Sequence, residues 1–451
     1  HPDAATAAAD AVIHTTDLDC GQVFAHLPEA MQRGLIDERE IDQALARLLT
    51  IRFRLGMFDP EENDPYATLP YSVLESPAHK AHALRLAQES MVLLKNDGIL
   101  PLQHNLTRIV VLGPNADNPE VQLGNYNGFP SEIVTPLEGI RTKTGAEVLY
   151  LQASDYTEAT CADGEIARTL EGADLAIFVG GISPRLEGEE GDAGRNAPEG
   201  FAGGDRTSIR LPRAQTEVMR QIHEAGIPLV FVSMSGSALA FPWEAEHADA
   251  ILQAWYGGQA AGTAVADILW GDCNPSGRLP VTFYADDSQL PDFTDYSMRG
   301  RTYRYFAGEP LYPFGFGLSY STFAYDTPVC RTRHPRTGEP ITITTRVRNT
   351  GDRTGEEVVQ LYLSHPDAPE PKPIRALKGV RRITLRPGEA QTVEFTLMPR
   401  DLALVQPDGK SVCAPETIRC YIGGAQPDAS PESERRSCPI RISGTAKVLP
   451  R

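Results

Sequence analysis

Three glutamates, Glu187, Glu189 and Glu190, stand within the stretch from Val179 to Pro212, VGGISPRLEGEEGDAGRNAPEGFAGGDRTSIRLP. Asp192 and the pair Asp205–Arg206 follow among glycines. Closely spaced carboxyl groups raise one another's pKa, and a carboxylic acid so raised can donate a proton near neutral pH. General acid chemistry is what this stretch could do, with Glu187, Glu189 and Glu190 as the candidates. A metal site has less support, because the loop holds neither His nor Cys and its spacing fits no EF-hand. A solvated loop carries the same kind of charge, and composition alone does not separate the two readings.

The elements that must position this loop are legible. The apolar run Leu175, Ala176, Ile177, Phe178, Val179 is strand-like and stops at Gly180–Gly181. Further strand-length runs occur at Ile109–Leu112, Leu229–Val232 and Ile251–Trp255, with helical patterns such as Arg213–Ala225 and Ala260–Leu269 between them. Strand–helix alternation over about 200 residues predicts a mainly parallel sheet covered by helices on both faces. Each run ends at a breaker: Gly113–Pro114, Gly180–Gly181, Ser235–Gly236 and Gly257–Gly258. Those ends should share one rim, the usual ligand edge of an open α/β sheet. None of the glycines forms GxGxxG or a phosphate loop, so nucleotide binding has little support. The domain opens at Ser76–Pro77, a helix start, and Ala83, Leu86, Ala87, Ser90, Met91 and Leu94 recur at helical spacing after it.

Residues 1–58 are helical in pattern. DLDCG (17–21) reads as a strand end and turn, and Asp37 with Glu40 forms a capping box ahead of the face Ile41, Leu45, Leu48, Arg52. So short a segment must pack on something else. Residues 59–75 read as a linker and 76–285 as the α/β domain. Residues 286–323 form an aromatic, Gly- and Pro-rich connector, either an inter-domain tie or a binding loop. From residue 324 the pattern alternates: Ile341/Ile343, Val359/Leu361/Leu363 and Val393/Phe395/Leu397 each share a face. Residues 324–451 are read as a β-sandwich of immunoglobulin or fibronectin type III kind, with a polar, mobile stretch at 426–437.

The chain has 451 residues with 60 acidic against 42 basic side chains, a formal charge of −18. That length calls for two or three domains, and that charge disfavours nucleic acid and anionic membranes as partners. No apolar run is long enough to span a bilayer. Seven cysteines are scattered without a CxxC pair, and four lie after residue 329. One or two disulfides there would fit an oxidising compartment.

The chain resembles the C-terminal two-thirds of a glycoside hydrolase family 3 enzyme, β-xylosidases more than β-glucosidases. The resemblance is carried by DLDCG (17–21), RFRLGMFDP (52–60), SMVLLKNDGILPL (90–102), VLGPNAD (111–117) and LGNYNG (123–128). LEGEE (186–190), GDRTSIRLP (204–212), QAWYGGQAAGTAVADILWG (253–271), NPSGRLPVTFY (274–284) and YPFGFGLSYSTF (312–323) continue it in family order.

That resemblance implies a (β/α)8 barrel whose end is residues 1–58, an α/β sandwich, and a fibronectin type III-like domain. It implies retaining hydrolysis of terminal β-D-xylose or β-D-glucose, with an aspartate nucleophile from the barrel and a glutamate acid/base from this chain. Glu189 matches the acid/base place, while the insertion before Asp205–Arg206 keeps Glu187 and Glu190 in contention. Asp205–Arg206 are expected to fix the loop. Asn125, Tyr126, Asn127 and Arg301 are the expected substrate-binding residues, though Asn and Gly at 124–128 would equally make a plain turn. The family's SDW- or SDC-type nucleophile motif does not occur here, and Asp17 and Asp19 lie after its place. The expectation is that the barrel and its nucleophile lie in a missing domain or separate chain, and that these residues alone turn over little substrate. The implied partner is a small neutral oligosaccharide, with no cofactor; homo-oligomerisation stays open. The enzyme class and the C-terminal cysteines suggest a periplasmic or secreted protein. A non-catalytic carbohydrate-binding or interaction fragment is the competing reading.

Overall fold

The computed structural model describes residues 1–187, 198–202, 205–428 and 431–450. It divides into two compact units, His1–Ser76 and Pro77–Arg451. In the first, α1 (Ala4–Ile13) is capped by the Asp3 carboxylate, which accepts from Thr6 N at 2.8 Å. It packs with α2 (Leu27–Gln32) and α3 (Glu38–Arg54) around a small cluster of Ala5, Ala9, Val12, Ala30, Ile36 and Ala44. The capping box of Asp37 and Glu40 forms. The expected inward face of α3 does not: Ala44 is its buried residue and Leu45 is exposed. DLDCG is a turn rather than a strand end. The Asp19 carboxylate accepts from the Gly21 and Phe24 amides, and Asp17 is bound by the Arg47 guanidinium at 2.7 Å.

The second unit opens with α4 (Pro77–Ser90) and β1 (Val92–Asn96). Helical spacing had carried α4 through Leu94, but Val92, Leu93 and Leu94 are fully buried in strand conformation. Strand β1 runs antiparallel to β8 (Ala250–Gln253). Tertiary pairing overrides local propensity there. Strands β2 (Arg108–Leu112), β3 (Glu147–Leu151), β4 (Leu175–Gly181) and β7 (Leu229–Met234) complete a six-stranded sheet of order β1-β8-β7-β4-β2-β3. All pairs but β1–β8 are parallel.

Successive side chains point to opposite faces, and the strands divide accordingly. Val111, Ile177, Val179, Val230 and Val232 meet α4, α5 (Pro136–Lys143) and α10 (Ala261–Trp270). Val110, Leu112, Phe178 and Phe231 meet α6 (Glu165–Leu170), α8 (Arg213–Glu224) and α9 (Pro242–His247). Between these lie a short helix, α7 (Pro184–Glu187), and the two-residue strands β5 (Phe201–Ala202) and β6 (Asp205–Arg206). Chain order reverses between β2 and β4: β2 pairs with β3 on one side and β4 on the other. The crevice beyond their carboxyl ends is a topological switch point, where open α/β sheets bind ligands.

The connector contains one helical turn, α11 (Thr302–Tyr305), and packs as a tie: Tyr303 stacks on Phe314 at 4.0 Å and meets Tyr362 edge-on. It leads to β9 (Phe323–Tyr325), β10 (Val329–Cys330), β11 (Ile341–Asn349), β12 (Gly355–Ser364), β13 (Ala376–Leu385) and β14 (Ala390–Leu397). After them come β15 (Leu404–Val405), β16 (Ser411–Cys413), β17 (Thr417–Gly423), β18 (Ser437–Arg441) and β19 (Lys447–Val448). Two antiparallel sheets, β10-β11-β14 and β13-β12-β17-β18, enclose the expected alternating residues. The 426–437 stretch carries a helix at Pro431–Arg435 rather than being wholly irregular. All seven cysteines are free thiols; Cys420 and Cys438 face each other across β17 and β18 without a disulfide.

Candidate active site

The loop released by β4 begins at the switch point. Gly181, at φ +119°, approaches Met234 so closely that a Cβ would lie 2.0 Å from its carbonyl oxygen, so only glycine fits. The chain then makes one helical turn, α7, that ends on Glu187.

Glu187 is held from three sides. Its Oε2 accepts from Gly236 N at 2.9 Å and from Tyr256 Oη at 2.6 Å, and its Oε1 accepts from Ser237 Oγ. Ser237 also accepts from Arg206 Nη1 at 2.7 Å, and Arg206 Nη2 donates to Ala238 O at 2.9 Å. Burial draws the Arg206 pKa down, opposed by the charges of Glu187 and Asp287. Burial first, then the Glu187 charge, pushes the Tyr256 hydroxyl far above its ordinary value, so it remains a donor. Both oxygens of Glu187 are thereby engaged as acceptors. A general acid must instead present an O–H to a leaving group; in this geometry Glu187 ties α7 to Gly236, Ser237 and Tyr256. Glu189 and Glu190 lie outside the described residues.

The cleft beside α7 has a volume of about 610 Å³ and is lined by Asn118, Asn125, Asn127, Phe129, Tyr156 and Ser183, among others. Buried Asn115 accepts from Tyr156 Oη at 2.8 Å and donates to Ile182 O at 3.3 Å. Gln215 holds the end of β4, accepting from Gly181 N at 2.8 Å and donating to its carbonyl at 2.7 Å. Burial pushes the Tyr156 hydroxyl up to about 12. A neutral ligand with many hydroxyls suits such a lining of amides and hydroxyls. Among the described residues no group of three or more His, Cys, Asp or Glu is gathered to hold a metal.

The expected substrate residues divide. Asn125 and Asn127 line the cleft; Asn125 Nδ2 donates to Pro184 O at 3.3 Å and Asn127 Nδ2 to Gly128 O at 2.7 Å. Tyr126 is 87% exposed at φ +54°, a conformation costly for a tyrosine. Arg301 does not line this cleft. Its guanidinium donates to the carbonyls of Asp292 (3.0 Å), Asp295 (2.7 Å) and Ser297 (3.2 Å), closing its own loop. Arg206, expected with Asp205 to fix the loop, reaches Ser237 and Ala238, whereas Asp205 accepts from the Arg206 amide at 3.0 Å. Sequence reasoning missed Tyr256, Ser237 and Tyr156. Tyr256 stood in the quoted QAWYGG segment beside a strand-end breaker, and that was the signal available.

Comparison with known proteins accounts for the architecture. The glycosyl hydrolase family 3 C-terminal domain matches residues 91–320, and a fibronectin type III-like domain matches 357–426. A xylan 1,4-beta-xylosidase of Xylanibacter ruminicola is 32% identical over 89% of this chain and 63% of its own length. A beta-xylosidase of Formosa agariphila is 36% identical over 85% of this chain and 53% of its own. A beta-glucosidase structure from Erythrobacter marinus superposes with a TM-score of 0.79 at 32% identity, covering 98% of this chain and 60% of that one. The exo-beta-xylosidase XlnD, solved with a xylobiose aziridine probe, gives 0.82 at 27% identity, covering 99% and 59%. The chain thus spans between half and two-thirds of the length of these relatives, and its fold is their α/β domain followed by a fibronectin type III-like sandwich. It belongs to glycoside hydrolase family 3.

Proposed function

We propose that this chain supplies the acid/base side of a retaining exo-glycosidase that releases terminal β-D-xylose, or β-D-glucose, from short oligosaccharides. The observation that carries the reading is the cleft at the β2/β4 switch point, with the glutamate loop launched from its edge and pinned at Glu187. With Glu187 occupied, Glu189 takes the proton-donating role, Glu190 being the runner-up. Asn125, Asn127 and Tyr126 face the sugar; Arg301 supports the connector. Retaining hydrolysis needs a second carboxylate about 5–5.5 Å from the first, acting as nucleophile. That group belongs to a barrel packed against this chain. The exposed apolar side chains of the first unit, Ile51, Phe53, Leu55, Met57 and Phe58, fit such a covering surface.

The reaction then runs in two steps. The acid protonates the glycosidic oxygen as the nucleophile attacks the anomeric carbon, and the resulting carboxylate deprotonates the water that releases the sugar. The test compares aryl β-xyloside hydrolysis by these 451 residues alone with that by the natural polypeptide or by this chain plus a barrel. Turnover should require the barrel. Turnover by the 451 residues alone, lost on Glu189→Ala, would overturn the division of labour. Saturable xylotriose binding with no hydrolysis in any form would favour the non-catalytic carbohydrate-binding reading.

A further inference from the structure

Away from the catalytic cleft, the connector and the fibronectin-like sandwich enclose two adjoining cavities. The larger is about 1090 Å³, the smaller about 400 Å³, and they share Tyr305, His365, Pro371 and Pro373. The smaller is lined by three cations, Arg304, Lys378 and Arg400, and the larger adds Arg299 and Lys372 against one carboxylate, Glu370. This is a concentration of positive charge on a chain of net charge −18. No described residue forms a salt bridge with any of these five cations. The Arg304 guanidinium lies 5.6 Å from the Tyr305 ring centroid, and Arg400 donates to the Pro450 carbonyl at 3.0 Å.

Lys378 is the residue that most needs a partner. Strands β12 and β13 pair Leu361 with Gly379 and Tyr362 with Leu377, so Lys378 is the extra residue of a β-bulge. Bulges re-aim a side chain and recur beside functional sites. The ammonium is partly buried, and that burial draws its pKa down; nearby Arg304 adds to the effect and Asp401 opposes it. The Asp401 carboxylate already accepts from Met398 N at 2.8 Å. His365, 5% exposed, completes the wall. Its Nδ1 is engaged by Glu416 at 3.0 Å, which leaves Nε2 as the ring's remaining polar atom.

We propose that this double cavity is a second binding site, for an acidic saccharide: an oligosaccharide carrying a uronic acid. The carboxylate would meet Lys378 and Arg304 in the smaller chamber. The sugar rings would lie against Tyr305, Pro371, Pro373 and Ile374 in the larger, whose apolar walls and volume exceed what an inorganic ion needs. The saccharide identity rests on the family reading; the anion preference rests on the cations alone.

Calorimetric titration of the whole chain in low salt tests it, with a glucuronic acid-substituted xylotriose, neutral xylotriose and inorganic phosphate as probes. The acidic saccharide should bind at least about tenfold more tightly than either of the others, and 0.5 M salt should weaken it by screening. Lys378→Met should weaken it about tenfold with circular dichroism unchanged. Should that variant misfold, Arg304→Gln, at an exposed position, serves the same purpose. Equal binding of neutral xylotriose, phosphate binding as tight as the saccharide, or indifference to both substitutions would each overturn the proposal. Aryl β-xyloside hydrolysis, measured separately with the barrel present, reports on the catalytic reading alone.

Discussion

At the scale of single residues, Glu187 is tied down from three sides, by Gly236 N, Ser237 Oγ and Tyr256 Oη. Gly236 is instructive, because a Cβ there would lie 2.7 Å from Glu187 Oε2 and 3.0 Å from the Tyr256 ring. Gly236→Ala should leave a folded protein whose loop is displaced, with kcat falling at least about tenfold in the barrel-containing enzyme while Tm changes little. Tyr256→Phe removes one of the three donors to part-buried Glu187, whose Oε2 keeps the Gly236 amide, costing about 1 kcal/mol. Its effect should appear as a lower Tm together with lower kcat. The carboxyl cluster itself was readable in the sequence because charge and glycine content show in composition. Which carboxyl is tied down was not, since Ser237 and Tyr256 reach Glu187 from 50 and 69 residues away.

At the scale of elements, the parallel strands were legible as apolar runs ending at glycine, because a strand buried on both faces has few polar positions. Strand β1 was misread as helix: Met91 and Leu94 fall at helical spacing, and only the antiparallel pairing with β8 decides otherwise. Helices α8 and α9 carry a titration prediction. Glu244, 1% exposed, accepts from Thr216 Oγ1 at 2.6 Å, and burial raises its carboxyl pKa. A carboxyl raised in the folded state favours folding most below its unfolded pKa, and that contribution is lost as pH climbs through the folded value. Glu244→Gln should therefore raise Tm relative to wild type at neutral pH, and the difference should close as pH falls into the carboxyl range. Thermal melts across pH 4 to 8 (roughly the window in which a raised carboxyl titrates) check both the sign and the window.

At the scale of the molecule, the α/β sheet and the fibronectin-like sandwich form one compact unit joined by buried charge. Arg278 and Glu357 pair at 2.8 Å with side chains 9% and 4% exposed, and Tyr325 Oη donates to the same carboxylate at 2.5 Å. Removing one partner of a buried pair costs about 3–5 kcal/mol. Glu357→Ala should lower stability by that order and split calorimetric unfolding into two transitions; a single unshifted transition would show the tie to be incidental. Azide rescue separates the two glutamates most directly, in an enzyme that joins this chain to a family 3 barrel, with an aryl β-xyloside as substrate. Azide needs no base, so it replaces water only where the acid/base is missing. Glu189→Ala should be slowed by about 10²–10⁴-fold and then recover in azide with formation of β-xylosyl azide, whereas Glu187→Ala should be slow and unrescued. Rescue of Glu187→Ala with none for Glu189→Ala would contradict the assignment of Glu187 as anchor.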